Sequence, residues 1–135
     1  MLVEHARNLA GIPNASHAEY GVGGTAVISL MACSLQGCTI SVELIPGSKL
    51  AALCGSSPLV EHTTCSYALA LEMQHIAGEH GMRVAAVDDT GEVRAIERSD
   101  HPFFLATLYQ PQLRSAPGHP HPVFAGLLKA AFGSE

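Results

Sequence analysis

The chain has 135 residues, of which 47% are hydrophobic and 14% charged, and its formal net charge at pH 7 is −5. This length suits one domain around one buried core, and the composition argues against a disordered chain. The 12 acidic and 7 basic residues form no basic cluster, so the sequence excludes an electrostatic surface for nucleic acid or an anionic membrane.

The start of the chain and its cysteines bear on location and cofactors. Met1-Leu2-Val3 is followed directly by Glu4, so the start lacks the basic region and apolar core of a secretory signal. The apolar run 26–35 contains two serines and is shorter than the roughly 18 residues of a membrane span. The four cysteines form no Cys-x-x-Cys pair. We therefore expect a cytoplasmic protein with reduced, mostly buried thiols and no metal or other cofactor.

The first half of the chain is predicted to contain two helices and two strands. Residues 2–10 have apolar side chains at helical spacing, although no Ser, Thr, Asp or Asn caps the first turn. Residues 25–35 and 38–45 are rich in strand-forming residues, and the short turn between them predicts a hairpin. Ser48 is expected to cap a short helix that ends near Gly55.

The second half is predicted to be mixed as well. The expected elements are an extended segment at 58–68, a helix at 69–81, a hairpin of 82–89 with 92–98, a buried strand at 101–110 and a helix at 122–132. Helices interspersed with hairpins indicate an α/β or α+β fold with a mixed sheet.

Two stretches carry a resemblance to a known family. Residues 2–20 (LVEHARNLAGIPNASHAEY) and 81–131, which run from Gly81 to Ala131, are similar to the glutamine amidotransferase domain that closes CTP synthase. Within the second stretch, His101-Pro102-Phe103-Phe104, the x-Pro-x turn at 110–112 and His121-Pro122-x-Phe124 fall in the family's order and spacing. The resemblance implies a class I glutamine-amidotransferase-like α/β fold, flavodoxin-like with three layers and a mixed sheet.

The resemblance also implies which catalytic residues are missing. The family uses a Cys-His-Glu triad, and its cysteine lies on a Gly-x-Cys-x-Gly turn before a helix that resembles residues 2–10. On this reading, residues 1–135 form a single domain that corresponds to the C-terminal portion of the family domain and lacks its N-terminal strands and nucleophile turn. The family's His-Pro-Glu falls at Gln110-Pro111-Gln112. CTP synthase is rich in Arg and His near 61–67, where this chain has EHTTCSY, so the resemblance is nearest to the CTP synthase C-terminal-region-related (seleno)protein group.

Two functions follow from this resemblance. The first is a catalytically degenerate domain that acts as a binding or regulatory module. Its ligand, glutamine-like or nucleotide-like, would be held by Gln110, Gln112 and Arg114, because amides recognise carboxamides and nucleobase edges. The second is a fragment of a longer amidotransferase-like or hydrolase-like enzyme whose upstream Cys or Sec nucleophile performs amide or thiol chemistry. Self-association is also expected, because the apolar composition favours exposed faces that need a partner.

Several residues admit a structural and a functional interpretation. Cys65 is either a half-buried strand thiol or a reactive thiol near a helix start. His119 and His121, with His101, could ligate a metal, although the family already accounts for His121-Pro122 as the start of a helix. The two glutamines could simply satisfy backbone groups of a turn, and Arg114 could be an ordinary surface arginine.

Overall fold

The computed structural model describes residues 1–21 and 23–133, which form α-helices, β-strands and short 3₁₀ helices. The α-helices are α1 (Leu2–Asn8), α2 (Lys49–Cys54) and α3 (Pro122–Phe132). The strands are β1 (Ala15–His17), β2 (Thr25–Leu30), β3 (Cys38–Leu44), β4 (Leu59–Thr63), β5 (Tyr67–Leu69), β6 (Met82–Asp88), β7 (Val93–Arg98) and β8 (Leu105–Thr107). Short 3₁₀ helices span Ala18–Tyr20, Leu71–Gly78 and Pro111–Arg114.

The strands form two sheets. The smaller has the order β1-β2-β5, with β1 parallel and β5 antiparallel to β2. The larger has the order β4-β3-β6-β7-β8 and is antiparallel throughout. Two apolar clusters fill the interior, one around Val27 and Ile76 and the other around Val42, Leu50 and Tyr109. The mixed α/β prediction is thereby confirmed.

The larger sheet is so strongly curled that the segment after β8, one edge strand, contacts β4, the other edge strand. The backbone N–H of Gln110, just after β8, donates to the carbonyl of His62 on β4 at 2.9 Å. The Thr63 hydroxyl on β4 donates to the carbonyl of Leu108 at 3.3 Å. Strands β4 and β8 lie at opposite edges of the sheet order, so these bonds require strong curvature. The loop with the two glutamines lies at this closure.

The predicted hairpin of 25–35 with 38–45 is wrong. Strand β2 lies between β1 and β5 in the smaller sheet, whereas β3 lies between β4 and β6 in the larger one. The buried side chains explain the separation, because Val27 belongs to the first apolar cluster and Val42 to the second. The connecting residues 31–37 are a loop that crosses from one sheet to the other.

The other element predictions agree in part. The helix beginning after Ser48, the hairpin of 82–89 with 92–98 and the helix at 122–132 are confirmed. The predicted helix at 69–81 is instead the end of β5 followed by a 3₁₀ helix, since Ala70 N–H donates to Val27 O and holds the chain to the smaller sheet. The predicted strand at 101–110 shrinks to β8, because the His101 ring accepts from Phe103 N and forms a turn first. Within the described ranges, every helix is too short or too polar to cross a bilayer.

The hairpin turn after β6 should make stability depend on pH. Burial alone would raise the pKa of Asp88, but hydrogen bonds from Thr90 and Arg94 outweigh it and hold the pKa below the ordinary 3.8. A carboxyl group whose pKa is lower in the folded state stabilises the fold at pH values above its pKa in the unfolded chain. This stabilisation is lost as the pH falls through the pKa of the folded state. We expect Asp88→Asn to cost about 2 kcal/mol at pH 7 and progressively less below pH 4, measured by urea unfolding. A cost independent of pH would contradict this account.

Candidate ligand site where the sheet edges meet

The loop that follows β8 runs from Leu108 to Gln110 and leads into the 3₁₀ helix Pro111–Arg114, with proline at its first position. The Gln110 side-chain oxygen accepts from the backbone N–H of Thr64 at 2.7 Å. This carboxamide therefore ties the loop to the segment between β4 and β5. Gln112, two residues further along the chain, is exposed to solvent.

Cys65 lies directly after the residue that Gln110 holds. Its thiol donates to the Tyr67 carbonyl at 3.1 Å and accepts from the Tyr67 N–H at 3.4 Å. The expected helix start after Cys65 is wrong: β5 begins at Tyr67, because this segment pairs with β2. The structure thus brings Cys65 and Gln110 together through Thr64 but gives the thiol a local backbone partner instead of a helix dipole.

The remaining cysteines correct the expectation of mostly buried thiols. All four are free; Cys33 and Cys38 are exposed, while Cys54 and Cys65 are partly buried. Cys33 lies in the loop between the sheets, and Cys38 is the first residue of β3, before that strand enters the core. Free cysteines are usually buried, but Cys33 lies in a loop and Cys38 precedes the covered part of β3.

A buried carboxylate lies beneath the glutamine loop. The side chain of Glu61 on β4 is 0% exposed, and its Oε1 accepts from Arg114 Nη1 at 2.9 Å and from His121 Nε2 at 3.1 Å. The burial of β4 alternates, so Leu59, Glu61 and Thr63 point inward. That alternation was the available sign of an inward carboxylate, and sequence reasoning missed it. Arg114 is consequently an anchored side chain that remains half-exposed.

His121 links the carboxylate to the last helix. Its Nδ1 accepts from the backbone N–H of Val123 at 3.2 Å, so this nitrogen carries no proton and caps α3. Its Nε2 must therefore carry the proton that is donated to Glu61. Both ring nitrogens are committed to protein groups, and the imidazole holds the start of α3 against β4.

Two further titratable groups, Cys54 and Tyr109, lie near Glu61. Burial, with the charge of Glu61 adding to it and Arg114 partly offsetting it, raises the pKa of the Cys54 thiol to about 11. Burial, together with nearby Cys54 and Glu61, also raises the pKa of the Tyr109 hydroxyl above its ordinary value. At neutral pH both groups are protonated, and a protonated thiol is a poor nucleophile. A cavity of about 190 Å³ adjoins Cys54; its lining residues are Cys54, Ser56, Leu59, Arg114, Pro120, His121 and Pro122.

This arrangement is suited to binding. Glu61 and His121 form a buried carboxylate–imidazole pair, but the imidazole could accept a substrate proton only by releasing the cap of α3. Gln110 and Gln112 can donate and accept hydrogen bonds without exchanging protons near pH 7. Among residues 1–21 and 23–133, no three His, Cys, Asp or Glu side chains are grouped to hold a metal ion.

The sequence comparisons identify relatives. No protein-family model matches the chain. CTP synthase of Brucella anthropi is 31% identical over 96% of this chain, and that of Synechococcus sp. is 31% identical over 99%. In both cases the match covers 27% of the relative, so the chain spans about a quarter of the length of these enzymes.

The structural comparison agrees. The glutaminase domain of Trypanosoma brucei CTPS, solved with bound acivicin, superposes with a TM-score of 0.88 and 24% sequence identity. The match covers 99% of this chain and 57% of that chain. The class I glutamine-amidotransferase-like fold predicted from the sequence is therefore confirmed.

Proposed function

Because this chain has the fold of a CTP synthase glutaminase domain and aligns with bacterial CTP synthases along almost its whole length, we propose that it is a catalytically inactive, ligand-binding relative of that domain. The sequence feature that carries the proposal is Gln110-Pro111-Gln112, which the resemblance aligns with the family's His-Pro-Glu. The commitment of both His121 nitrogens supports it, since the nearby imidazole offers no replacement base.

The ligand is a small molecule with a carboxamide or nucleobase edge and an anionic group. Gln112 supplies an exposed amide, and Gln110 fixes the loop on which it lies. The Arg114 guanidinium uses Nη1 for Glu61, and its half-exposed side chain leaves further N–H groups for a carboxylate or phosphate. Glutamine-like and nucleotide-like molecules both carry these groups.

Two measurements test the proposal. Purified protein supplied with glutamine should release no more ammonia than a buffer blank. Isothermal titration with glutamine, acivicin and UTP should show saturable binding of at least one of them, and Gln112→Ala should weaken it by about tenfold, since the variant removes a direct contact. Gln36→Ala, which removes another exposed glutamine, is the matched control and should bind as the parent does. Ammonia release by the 135-residue chain would refute the inactive assignment, and absence of binding by all three probes would refute the ligand class.

The second candidate is a longer amidotransferase-like or hydrolase-like enzyme whose Cys or Sec nucleophile lies outside this sequence. It is favoured by the length of the relatives, of which this chain spans 27%. The EHTTCSY stretch at 61–67 supports a place in the CTP synthase C-terminal-region-related (seleno)protein group. The intact mass of the endogenous protein decides between the candidates: a mass near 14.1 kDa favours the binding module, and a markedly heavier product favours the enzyme. Both candidates would act in the cytoplasm.

A further inference from the structure

A buried histidine joins α1 to the chain segment that leads into β6. His5 on α1 is 5% exposed, and its ring donates a hydrogen bond to the carbonyl of Ile76 in the second 3₁₀ helix. Its Nε2 atom is buried and has no hydrogen-bond partner among residues 1–21 and 23–133. Because a protonated Nε2 would be a buried donor without an acceptor, this environment requires the neutral imidazole.

The charged groups around this ring also oppose its protonation. The centroid of the His80 ring lies 6.1 Å from that of His5 and adds a positive charge whenever it is protonated, and the Arg98 guanidinium on β7 is a second nearby cation. Glu79 acts in the opposite sense, but its side chain is half-exposed and lies 4.0 Å from the His80 Nε2 atom. Burial, with His80 and Arg98 adding to it, therefore lowers the pKa of His5 below the ordinary 6.5, although the Ile76 carbonyl and Glu79 oppose this.

The turn that carries His80 is anchored to β7. The backbone φ of His80 is 50°, in the left-handed region, and its carbonyl accepts from Arg98 Nη1 at 3.3 Å. The same guanidinium donates to Asp100 through Nη2 at 2.6 Å and through Nε at 2.9 Å. Since these bonds hold the turn, α1 is the element that can move away when positive charge accumulates between His5 and His80.

Helix α1 depends on its packing against the rest of the domain. It has 7 residues, which is too few for a helix to be stable alone in water. Ala6 is fully buried in the first apolar cluster, and Leu2 and Val3 pack against that cluster. Arg7 Nε donates to the Ala15 carbonyl on β1 at 2.9 Å. The helix therefore persists only while its inner face, which includes His5, remains packed.

We propose that His5 is a pH-sensitive latch, which holds α1 on the domain while the imidazole is neutral and releases the helix when it is protonated. A base whose pKa is lower in the folded state takes up more protons when it is unfolded. The packing of α1 is therefore fully stable above pH 6.5 and weakens as the pH falls from 6.5 toward the pKa of the folded state. This range lies above the one in which Asp88 is protonated, so the two effects can be separated. The inference is independent of the ligand proposed above.

The test is amide hydrogen exchange of the 135-residue chain at pH 7 and at pH 5, corrected for the intrinsic effect of pH on exchange. The reporters of α1 are the Leu9 and Ala10 amides, which both donate to the His5 carbonyl, and the amides of β6 and β7 are the internal reference. We expect the protection of the reporters to fall by about tenfold or more at pH 5, while that of the reference stays nearly constant. Equal losses in both sets would overturn the proposal, because acid would then act on the whole fold.

Three variants assign the effect to the latch. His5→Phe keeps a ring but removes the titratable nitrogens, so the protection of α1 should become independent of pH within about twofold. His75→Phe, which replaces an exposed histidine of the second 3₁₀ helix, is the matched control and should lose protection at pH 5 as the parent does. A loss in His5→Phe equal to that of the parent would overturn the proposal.

His80→Asn keeps the buried ring of His5 in place, so it tests the latch even where a phenylalanine disturbs the packing of α1. Asparagine tolerates the left-handed conformation of this position. Without the neighbouring imidazole, protonation of His5 meets less repulsion, so the pH dependence of α1 protection should become weaker than in the parent. An unchanged pH dependence would show that charge at this contact does not drive the release, and would overturn the proposal.

Discussion

Glu61→Ala should lower the free energy of unfolding by about 3 to 5 kcal/mol, as expected when one member of a buried charged network is removed. The substitution leaves the His121 Nε2–H buried without its acceptor and frees Arg114 from its anchor. It also loosens the cap of α3, because the bond to Glu61 fixes the tautomer that is protonated at Nε2 and leaves Nδ1 free to accept from Val123. Urea unfolding followed by circular dichroism measures the loss.

Glu43→Ala is the matched control, because Glu43 is an exposed glutamate on the adjacent strand β3. It should change stability by less than about 0.5 kcal/mol. Glu61→Gln adds a second readout: without the glutamate charge the pKa of Cys54 should fall from about 11, and its alkylation at pH 8.5 should accelerate. An unchanged alkylation rate together with unchanged stability would show that Glu61 does not organise this site.

The second large effect is expected at Glu97, whose side chain is 0% exposed on β7. Its carboxylate accepts from the backbone N–H groups of Lys49 and Leu50 at 2.9 and 3.1 Å, and from Arg83 Nε at 2.7 Å. It thus binds the first turn of α2 to the larger sheet and complements the helix dipole. Glu97→Ala should cost about 3 kcal/mol, because two amides and a guanidinium lose a buried acceptor.

Glu97→Gln should recover part of this loss, since the amide oxygen can still accept from one of the two N–H groups. The chemical shifts of the Lys49 and Leu50 amides report the contact directly, and both should move in either variant. A variant that keeps those shifts while losing stability would mean that the carboxylate acts elsewhere.

Local chemistry made parts of the fold predictable. The Thr90-Gly91 turn between two strand-like runs predicted the hairpin of β6 and β7, and the hydroxyl of Ser48, which accepts from Ala51 N, predicted the start of α2. The pairing of β2 could not be predicted in the same way. The strands that pair with β2 depend on the apolar cluster in which Val27 is buried, and that cluster is formed by residues distant in the sequence.

Only the loop of the candidate site, residues 110–112, could be predicted from the sequence. The residues at 110–112 could be singled out because a family motif falls there, and they do lie at the closure of the sheet. The role of Glu61 in holding Arg114 could not be predicted from the sequence. Its hydrogen bonds to Arg114 and His121 join residues that are 53 and 60 positions apart. Only the alternation along β4 distinguished Glu61 from an ordinary surface glutamate.

The closure of the curled sheet has a consequence for the order of folding. The bond between Gln110 and His62 joins residues 48 positions apart, so its formation carries the entropic cost of closing a long loop. Contacts between distant parts of a chain form slowly, whereas the hairpin of β6 and β7 is local. We therefore expect the candidate site to assemble late, after the strands that it joins, so that a molecule bound there would recognise only the fully folded chain.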